Sequence, residues 1–233
     1  MTNNKSPRAI MALAGTILFL AGSLVFAAGT GETGTSAGTE AFITPAPAME
    51  KGPVPDTAVV AVFAGGCFWG IEGVYERLVG VYDVVSGYSG GNAETATYGR
   101  VGTGTTGHAE SVKIWFDPNQ ISYRTLLDVF FTVAHNPTEL NFQGPDHGPQ
   151  YRSAVFYADD TQRAVVEEYI TGLESRKVYG DPIVTQVTPL VEFFPAEEYH
   201  QDFMRNNPNY PYIVYWDLPK IAMLEKEFPE LVA

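Results

Sequence analysis

The sequence predicts a mixed α/β fold, of the α+β kind, in which strands and helices alternate within one domain. Two patterns indicate this fold class. The run Val59 to Ala64 is apolar throughout and has the length of a buried strand, and the residues after it place apolar side chains at helical spacing. The run Ala109 to Phe116 alternates between two faces, as a strand does. Such alternation of elements is typical of a sheet covered by helices.

The first predicted strand leads directly into the first predicted helix. Between them stands the segment Gly65-Gly66-Cys67-Phe68-Trp69-Gly70. The helix is indicated by apolar residues at helical spacing, namely Phe68, Ile71, Tyr75 and Leu78, and Gly80 ends this pattern. Cys67 is therefore predicted to lie where a buried strand turns into a helix.

Two further strands flank a glycine-rich loop. The strand Val81 to Tyr88 precedes this loop, which carries Tyr98 and ends near Gly107, and the strand Ala109 to Phe116 follows it. Alternate residues of the later strand share one face, namely Glu110, Val112, Ile114 and Phe116. Glu110 is thus predicted to lie at the mouth of an apolar face.

The second half of the chain continues the alternation. Ser122 is predicted to cap a helix, and residues 135–150, with several prolines and glycines, are predicted to be irregular. The buried stripe of that helix comprises Leu126, Leu127, Phe130, Phe131 and Ala134. The later predicted elements are a strand Tyr151 to Tyr157, a helix capped by Asp160 and running to about Lys177, a strand Ile183 to Phe194, a short helix Glu197 to Arg205 and coil after Asn206.

Residues 1–57 are not predicted to belong to the fold. Within residues 1–28, Lys5 and Arg8 precede an apolar run that ends in small residues, a pattern typical of an export signal. If this signal is not cleaved, the apolar stretch is long enough to anchor the chain in a membrane. Residues 29–57 are rich in Gly, Thr, Ala and Pro, which predicts a flexible linker. We therefore expect an exported protein, in the periplasm, in the cell envelope or secreted, with one domain over residues 58–233.

The predicted domain is strongly acidic. From Thr57 onward it carries 11 Lys and Arg against 23 Asp and Glu, a formal charge of −12. No basic cluster offsets this charge, so neither nucleic acid nor an anionic lipid surface is an expected partner, and a monomer is expected. The chain has a single cysteine. In an exported protein of this size, one unpaired thiol indicates a catalytic sulfur or an intermolecular partner rather than a structural disulfide.

Cys67 has the surroundings of a reactive sulfur. Gly65 and Gly66 permit a tight turn, and the first turn of a helix offers unpaired N–H groups and the positive end of the helix dipole, which favour a thiolate. A free cysteine is more often a small buried hydrophobe, but packing alone does not require two glycines and two aromatics beside it. A phosphate loop is excluded because the glycines lack G-x-G-x-x-G spacing and no Lys-Ser/Thr pair follows.

Four motifs stand on predicted turns and strand ends. They are Gly66-Cys67-Phe68-Trp69-Gly70, Gly107-His108-Ala109-Glu110, Asp146-His147-Gly148 and Gln150-Tyr151-Arg152-Ser153. In order and spacing they resemble the A-type peptide methionine sulfoxide reductases, and the likeness extends over residues 59 to about 210. The resemblance implies a two-layer sandwich, a ferredoxin-like plait with long coil segments. It also implies a thiol enzyme that reduces the S epimer of methionine sulfoxide, free or within proteins.

The resemblance implies roles for particular residues of this chain. Cys67 is the implied nucleophile, which attacks the sulfoxide sulfur and ends as a sulfenic acid. Glu110 is the implied acid, which gives a proton to the sulfoxide oxygen, and it can do so near neutral pH only if burial raises its pKa. The other implied site residues are Tyr98 and Tyr151, which hydrogen-bond that oxygen, Phe68 and Trp69, which form the pocket for the substrate methyl group, and Asp146, which orients the site.

The chain departs from the family pattern in two respects. Many members carry further cysteines near the C-terminus that attack the sulfenic acid, whereas the segment Pro208 to Ala233 has none. We therefore expect a one-cysteine cycle without a cofactor, in which an external thiol attacks the sulfenate. That thiol belongs to a thioredoxin- or glutaredoxin-like partner or to a small molecule. The second departure is the export signal, which implies repair of oxidised proteins outside the cytoplasm.

Two other functions stay open at this stage. His147 or His200 could serve as the base of a papain-like cysteine hydrolase, with Asp146 as the residue that orients it. Alternatively, the domain is a tethered binding module whose aromatic pocket takes an apolar ligand and whose Cys67 is inert. A metal site is not expected, because the four histidines form no i,i+4 pair and have no cysteine companion.

Overall fold

The computed structural model of the protein describes Ala48 and residues 52–232. The predicted export signal or anchor, residues 1–28, lies outside the described residues, as does most of the predicted linker, residues 29–57. Both therefore stay predictions. Across the part of the chain that is described, no helix combines the length and the apolar character needed to cross a membrane.

Strands and helices alternate along the described chain, as predicted. The strands are β1 Val59–Ala64, β2 Val81–Ser89, β3 Ala109–Phe116, β4 Phe142–Gln143, β5 Asp146–His147, β6 Ala154–Tyr157, β7 Gln186–Pro189 and β8 Phe193–Pro195. The α-helices are α1 Phe68–Tyr75, α2 Tyr98–Val101, α3 Tyr123–Val129, α4 Asp160–Ser175, α5 Phe203–Asn206 and α6 Leu218–Glu227. A π-helical turn, Phe130–Ala134, continues α3, and a second, Ile213–Asp217, precedes α6.

Six strands form one sheet in the order β7-β6-β1-β3-β2-β8. Neighbouring strands are antiparallel except for β6 and β7, which are parallel. Helix α1 joins β1 to β2, and α3 lies between β3 and β6 in the chain. The four central strands, β6-β1-β3-β2, therefore have the βαββαβ arrangement of a ferredoxin-like plait. The predicted α/β fold class is confirmed.

The sheet separates a large core from a small one. Along β1, Ala61 and Phe63 face the large core, which they share with side chains of α1, α3, α4 and α6. The alternate residues Val62 and Ala64 face the small cluster on the other side of the sheet. The ring of Phe63 stacks on that of Phe130 at 4.9 Å between centroids. This packing holds the end of β1, and with it the turn before α1, against the helical layer.

The strand predicted over Ile183 to Phe194 is wrong. The structure has β7 and β8 instead, and they pair at opposite edges of the sheet. Pro189 ends β7, because proline has no N–H to give to a ladder of hydrogen bonds. Since the residues on both sides of this break are largely apolar, hydropathy alone does not reveal it.

The coil predicted after Asn206 is also wrong, because α6 occupies part of that tail. Pro219 lies in the first turn of α6, where the missing N–H is tolerated. Ile221 and Leu224 are fully buried and attach this helix to the core. The prolines that suggest coil therefore stand before the helix, in its first turn and after its end. As a result, residues of the tail reach the neighbourhood of Cys67.

Helix caps follow the sequence closely. Ser122 caps α3 as predicted, and its hydroxyl accepts a hydrogen bond from the Thr125 N–H at 3.0 Å. The cap of α4 is Asp159 rather than the predicted Asp160, and its carboxylate accepts from the Gln162 N–H at 2.8 Å. Both residues are aspartates, so sequence pattern alone does not separate them.

Three further predicted boundaries differ. The loop that carries Tyr98 contains the short helix α2. The strand predicted from Tyr151 begins only at Ala154, because the preceding residues form a 3₁₀ turn. The short helix predicted over residues 197–205 is interrupted at Asp202, whose φ of 53° is left-handed.

Candidate active site

Cys67 is the N-cap residue of α1 and directly follows the turn after β1. Gly66 has a φ of 104°, a conformation that favours glycine, and a Cβ on Gly65 would lie 2.7 Å from the ring of His135. These two glycines therefore allow the chain to turn here. The Cys67 side chain makes no capping hydrogen bond, and the backbone N–H of Trp69 in the first turn of α1 is the group that lowers its pKa.

The surroundings of Cys67 favour a thiol over the thiolate that its place at a helix N-terminus suggests. Cys67 is 8% exposed, and burial raises its pKa well above the ordinary value. The carboxyl groups of Glu110 and Asp217 raise this pKa further, while the backbone N–H of Trp69 opposes the rise. Loss of solvent and nearby negative charge thus act against the helix N-terminus. The stabilised thiolate stays a prediction that these surroundings do not favour.

Glu110 lies on β3, opposite Tyr88 of β2, and is 2% exposed. Its Oε2 accepts a hydrogen bond from the Phe68 N–H at 3.2 Å. Burial raises the pKa of Glu110 to about 8, with a further contribution from Asp146, although the Phe68 hydrogen bond opposes the rise. The carboxyl group therefore holds a proton at neutral pH. It meets the condition that the sequence sets for an acid at this position.

All seven side chains predicted for the site line one cavity of about 200 Å³. They are Cys67, Phe68, Trp69, Tyr98, Glu110, Asp146 and Tyr151, and the cavity is completed by Tyr210 and Tyr212. We call it the main cavity. Two larger cavities, of about 460 and 420 Å³, lie elsewhere and contain none of these seven residues. Chemistry rather than size therefore identifies the site.

The two predicted phenols can donate hydrogen bonds into the main cavity. Burial raises the pKa of both Tyr98 and Tyr151, so each hydroxyl keeps its proton. The backbone N–H of Tyr98 donates to Glu197 Oε1 at 2.9 Å. The other oxygen of Glu197 accepts from the Tyr88 hydroxyl at 2.9 Å. Glu197, which the sequence does not indicate, thus ties the start of α2 to the sheet.

Trp69 is held in place by aromatic rings and one hydrogen bond. Its indole stacks on Phe203 at 3.8 Å and 9°, and it meets the edges of Tyr210 and Tyr212. The indole N–H donates to Nδ1 of His200 at 3.2 Å. Burial lowers the pKa of His200, which favours the neutral ring that can accept this bond. The result is a rigid apolar wall beside Cys67.

Three residues of the C-terminal tail belong to the surroundings of Cys67 but are not predicted from the sequence. The hydroxyl of Tyr212 donates to Oδ2 of Asp146. Asp217 is fully buried, and its Oδ1 lies 3.1 Å from Nζ of Lys220. The sequence does contain one signal for a helix in this tail, namely Asp217-Leu218-Pro219. An acidic residue with proline two positions later is a common start of a helix.

Gly70 leaves room for this ion pair in the first turn of α1. A Cβ at Gly70 would collide with Oδ1 of Asp217 and would lie 2.7 Å from its Cγ. We expect Gly70→Ala to lower the free energy of unfolding by about 1 to 3 kcal/mol, because a fully buried carboxylate must move. Gly172→Ala in α4 is the matched control, since nothing lies within 4 Å of its Cβ position. That control should stabilise by about 0.5 to 1 kcal/mol. Urea denaturation measures both, and equal effects would contradict this packing.

The geometry does not support the cysteine hydrolase. His147 is exposed and stacks on Phe142 at 5.5 Å. His200 uses its Nδ1 to accept from the indole of Trp69, and neither histidine lines the main cavity. A base within reach of the Cys67 sulfur is therefore not provided by either side chain.

One acidic cluster among the described residues has the spacing of metal ligands. Oxygen atoms of Glu72, Glu76 and Asp202 lie within 4.8 Å of one another. The guanidinium of Arg205 lies 3.7 Å from both Glu76 and Asp202, so a protein cation already contacts two of these three carboxyl groups. The cluster includes none of the residues that line the main cavity.

Comparison with known proteins identifies the family. A family profile described as peptide methionine sulfoxide reductase matches residues 59–231. Peptide methionine sulfoxide reductase MsrA 2 of Mesorhizobium japonicum is 57% identical over 171 residues, which cover 73% of this chain and 88% of that protein. The protein of the same name from Synechocystis sp. is 47% identical over 191 residues, 81% of this chain and 89% of its own.

Solved structures agree with the sequence comparison. Reduced Mxr1 from Saccharomyces cerevisiae is 33% identical with a TM-score of 0.58, covering 69% of this chain and 91% of that one. Methionine sulfoxide reductase A of Corynebacterium diphtheriae is 29% identical, also with a TM-score of 0.58, covering 69% and 88%. The motifs, the fold and these likenesses lead to one conclusion: the chain belongs to the peptide methionine sulfoxide reductase family and is an oxidoreductase that reduces methionine sulfoxide.

Proposed function

We propose that this protein reduces the S epimer of methionine sulfoxide, free or within proteins, through a sulfenic acid at Cys67. The observation that supports it most is the buried carboxyl group of Glu110, whose pKa burial raises to about 8, in the same cavity as the single cysteine. A sulfoxide is a poor electrophile until its oxygen is protonated or strongly hydrogen-bonded. A buried acid beside a nucleophilic sulfur supplies this requirement.

In the first half of the reaction, the substrate methyl group lies against Phe68 and Trp69. The hydroxyls of Tyr98 and Tyr151 hydrogen-bond the sulfoxide oxygen, and Glu110 gives it a proton. The Cys67 sulfur attacks the sulfoxide sulfur, and the thiol proton passes to the Glu110 carboxylate. Oxygen then transfers to Cys67, which becomes a sulfenic acid, while the substrate is reduced by two electrons and leaves as methionine.

Asp146 acts as an orienting residue in this proposal. Burial raises its pKa, while the Tyr212 hydroxyl and the Lys220 ammonium oppose the rise. Because Tyr212 also contacts the edge of the Trp69 ring, Asp146 holds part of the aromatic wall as well as one side of the cavity. In this proposal the reaction uses no cofactor.

The second half of the reaction needs an external thiol. Cys67 is the single cysteine of the whole sequence, so no disulfide can form within one chain. A thiolate of a thioredoxin- or glutaredoxin-like protein, or of a small molecule, attacks the sulfenic sulfur and forms a mixed disulfide. A second thiol then releases Cys67. We further propose that residues 1–28 export the protein, so that it repairs oxidised proteins outside the cytoplasm.

The proposal is tested by turnover of the full chain on the separate S and R epimers of a methionine sulfoxide peptide. We expect methionine from the S epimer alone, with either dithiothreitol or a thioredoxin system as the reductant. Turnover of the R epimer, or none with any thiol, would overturn the proposal. Cell fractionation tests export independently, and a mature protein confined to the cytoplasm would contradict it.

A further inference from the structure

A second, smaller cavity also reaches Cys67. It measures about 60 Å³ and shares Cys67 and Tyr212 with the main cavity. The rest of its lining is different and consists of Gln143, Gly144, Pro145, Trp216 and Lys220. Trp216 is 40% exposed, so this cavity lies close to solvent. We call it the side cavity.

The side cavity is chemically unlike the main one. It contains neither Glu110 nor either of the two phenols, and its charged group is the ammonium of Lys220. That ammonium lies 3.1 Å from Oδ1 of Asp217, and the Lys220 side chain is 23% exposed. The side cavity therefore presents a cation, paired with Asp217, whereas the main cavity is lined by the acidic side chains Glu110 and Asp146.

The packing of the core does not account for the buried ion pair between Asp217 and Lys220. Asp217 is fully buried, and its Oδ2 has no hydrogen-bond partner. A buried ion pair contributes little to stability compared with apolar side chains of the same size, and a carboxylate oxygen without a partner makes it less favourable still. The pair thus holds the Lys220 ammonium in position and adds little to the stability of the fold.

That position is at the start of α1. A Cβ at Gly70, the third residue of α1, would lie 2.8 Å from Nζ of Lys220. Cys67 is the N-cap residue of the same helix, and both Cys67 and Lys220 line the side cavity. The ammonium and the thiol therefore face one small cavity at the first turn of α1.

We propose that the side cavity is where the reducing thiolate reaches the Cys67 sulfenic acid, and that Lys220 is the acid of this step. The inference rests on the proposed one-cysteine cycle. The thiolate attacks the Cys67 sulfur, an S–S bond forms and the S–O bond breaks, and the departing hydroxide takes a proton from the Lys220 ammonium and leaves as water. The amine regains its proton from solvent. A second thiolate then forms a disulfide with the first and releases Cys67 as a thiolate.

In this assignment the two substrates reach the Cys67 sulfur through different cavities. The neutral sulfoxide enters the main cavity, where Glu110 holds a proton for its oxygen. The anionic thiolate enters the side cavity, where Lys220 attracts it and also supplies the proton that a hydroxide leaving group needs. The thiolate thus avoids Asp146, which lines the main cavity and not the side cavity.

The test separates the two halves of the reaction in the full-length protein. Each variant is first converted to the sulfenic acid by the S epimer without reductant, and released methionine is counted. Dithiothreitol or reduced thioredoxin is then added, and loss of the sulfenic acid is followed by rapid quenching and mass spectrometry. For Lys220→Met we expect one methionine per protein in the first step and at least about a tenfold slower second step.

The two reductants identify the source of the thiolate. If the second step of Lys220→Met is slower with dithiothreitol and with thioredoxin, small thiols and protein thiols both use the side cavity. If it is slower with only one reductant, only that kind of thiol uses the side cavity. An unchanged second step with both would overturn the proposal, as would an equal fall in both half-reactions. If even the unaltered protein releases no methionine, the proposed function fails instead, and the two failures are distinguishable.

The Lys220→Arg variant tests whether Lys220 acts as an acid or has only a structural role. This variant keeps the charge next to Asp217, but a guanidinium gives up a proton far less readily than an ammonium. We expect Lys220→Met to lower the ratio of the iodoacetate rate to the iodoacetamide rate at Cys67 about threefold or more, and Lys220→Arg to leave this ratio unchanged. Its second step should nevertheless stay slow. A Lys220→Arg protein that resolves the sulfenic acid at the original rate would contradict the role of Lys220 as an acid.

Discussion

A Cys67→Ser protein is expected to release no methionine from methionine sulfoxide, with the single-turnover rate reduced by about 10⁴-fold or more. Serine has nearly the same shape, but its oxygen is a far weaker nucleophile toward a sulfoxide sulfur and cannot form a sulfenic acid. The measurement is methionine formed from the S epimer under excess protein. Retention of the original rate would end the assignment of Cys67.

The same variant should remain folded, which makes the comparison clean. Cys67 is the N-cap residue of α1, and its side chain makes no capping hydrogen bond that the substitution would break. Serine is among the best residues at this position. Thermal unfolding should therefore show a stability equal to or greater than that of the original protein.

Glu110→Gln is expected to lower the single-turnover rate by about 10² to 10⁴-fold, the usual contribution of an acid that protonates the reacting group. The amide oxygen can still accept the hydrogen bond from the Phe68 N–H, so the backbone at the start of α1 should not shift. What the variant loses is the proton that the sulfoxide oxygen needs. An unchanged rate would exclude Glu110 as the acid.

The Glu110→Gln variant should be more stable than the original protein at neutral pH, although its reaction rate is lower. Burial raises the pKa of Glu110 to about 8 from an ordinary value of 4.5, so between these two pH values the unfolded chain gives up this proton while the folded protein keeps it. The folded state therefore loses stability as the pH rises through this interval. Glutamine has no proton to lose. At pH 7 the variant should be more stable by about 3 kcal/mol, and near pH 4 the difference should vanish. Urea unfolding at both pH values measures it, and a variant less stable at pH 7 would contradict the burial argument.

The centre of the fold is predictable because its signals are local and strong. The strands β1 and β3 have the predicted limits, since a continuous apolar run and a strict alternation both end at clear breaks. The edge strands β7 and β8 are not predictable in the same way. They arise from pairing with distant strands at opposite edges of the sheet, and such pairing leaves little trace in a short, mostly apolar segment.

The residues of the site also fall into a group that local motifs reveal and a group that only tertiary packing brings in. Its seven predicted residues stand in motifs that are visible in the chain, and the fold brings all of them to one cavity. Tyr212, Asp217 and Lys220 come from a tail whose helix is stabilised by burial of Ile221 and Leu224 against the core, which is a tertiary effect. Their placement around Cys67 could not be predicted from spacing.

The protonation state of Cys67 shows the limit most clearly. From the sequence, the helix N-terminus favours a thiolate. In the fold, removal of water and the carboxyl groups of Glu110 and Asp217 raise the pKa of the thiol instead. The balance depends on which charges surround the sulfur and how little solvent reaches it, and neither quantity is encoded in the neighbouring residues.

The central claim is a one-cysteine cycle at Cys67, and one measurement tests it most directly. The full-length reduced protein is mixed with the S epimer of a methionine sulfoxide peptide without any reductant, and released methionine, remaining thiol and protein mass are measured together. The account predicts one methionine per protein, complete loss of the single thiol and a dimedone adduct on Cys67 that marks the sulfenic acid. Methionine release with the thiol intact, or no methionine from a folded protein, would contradict it.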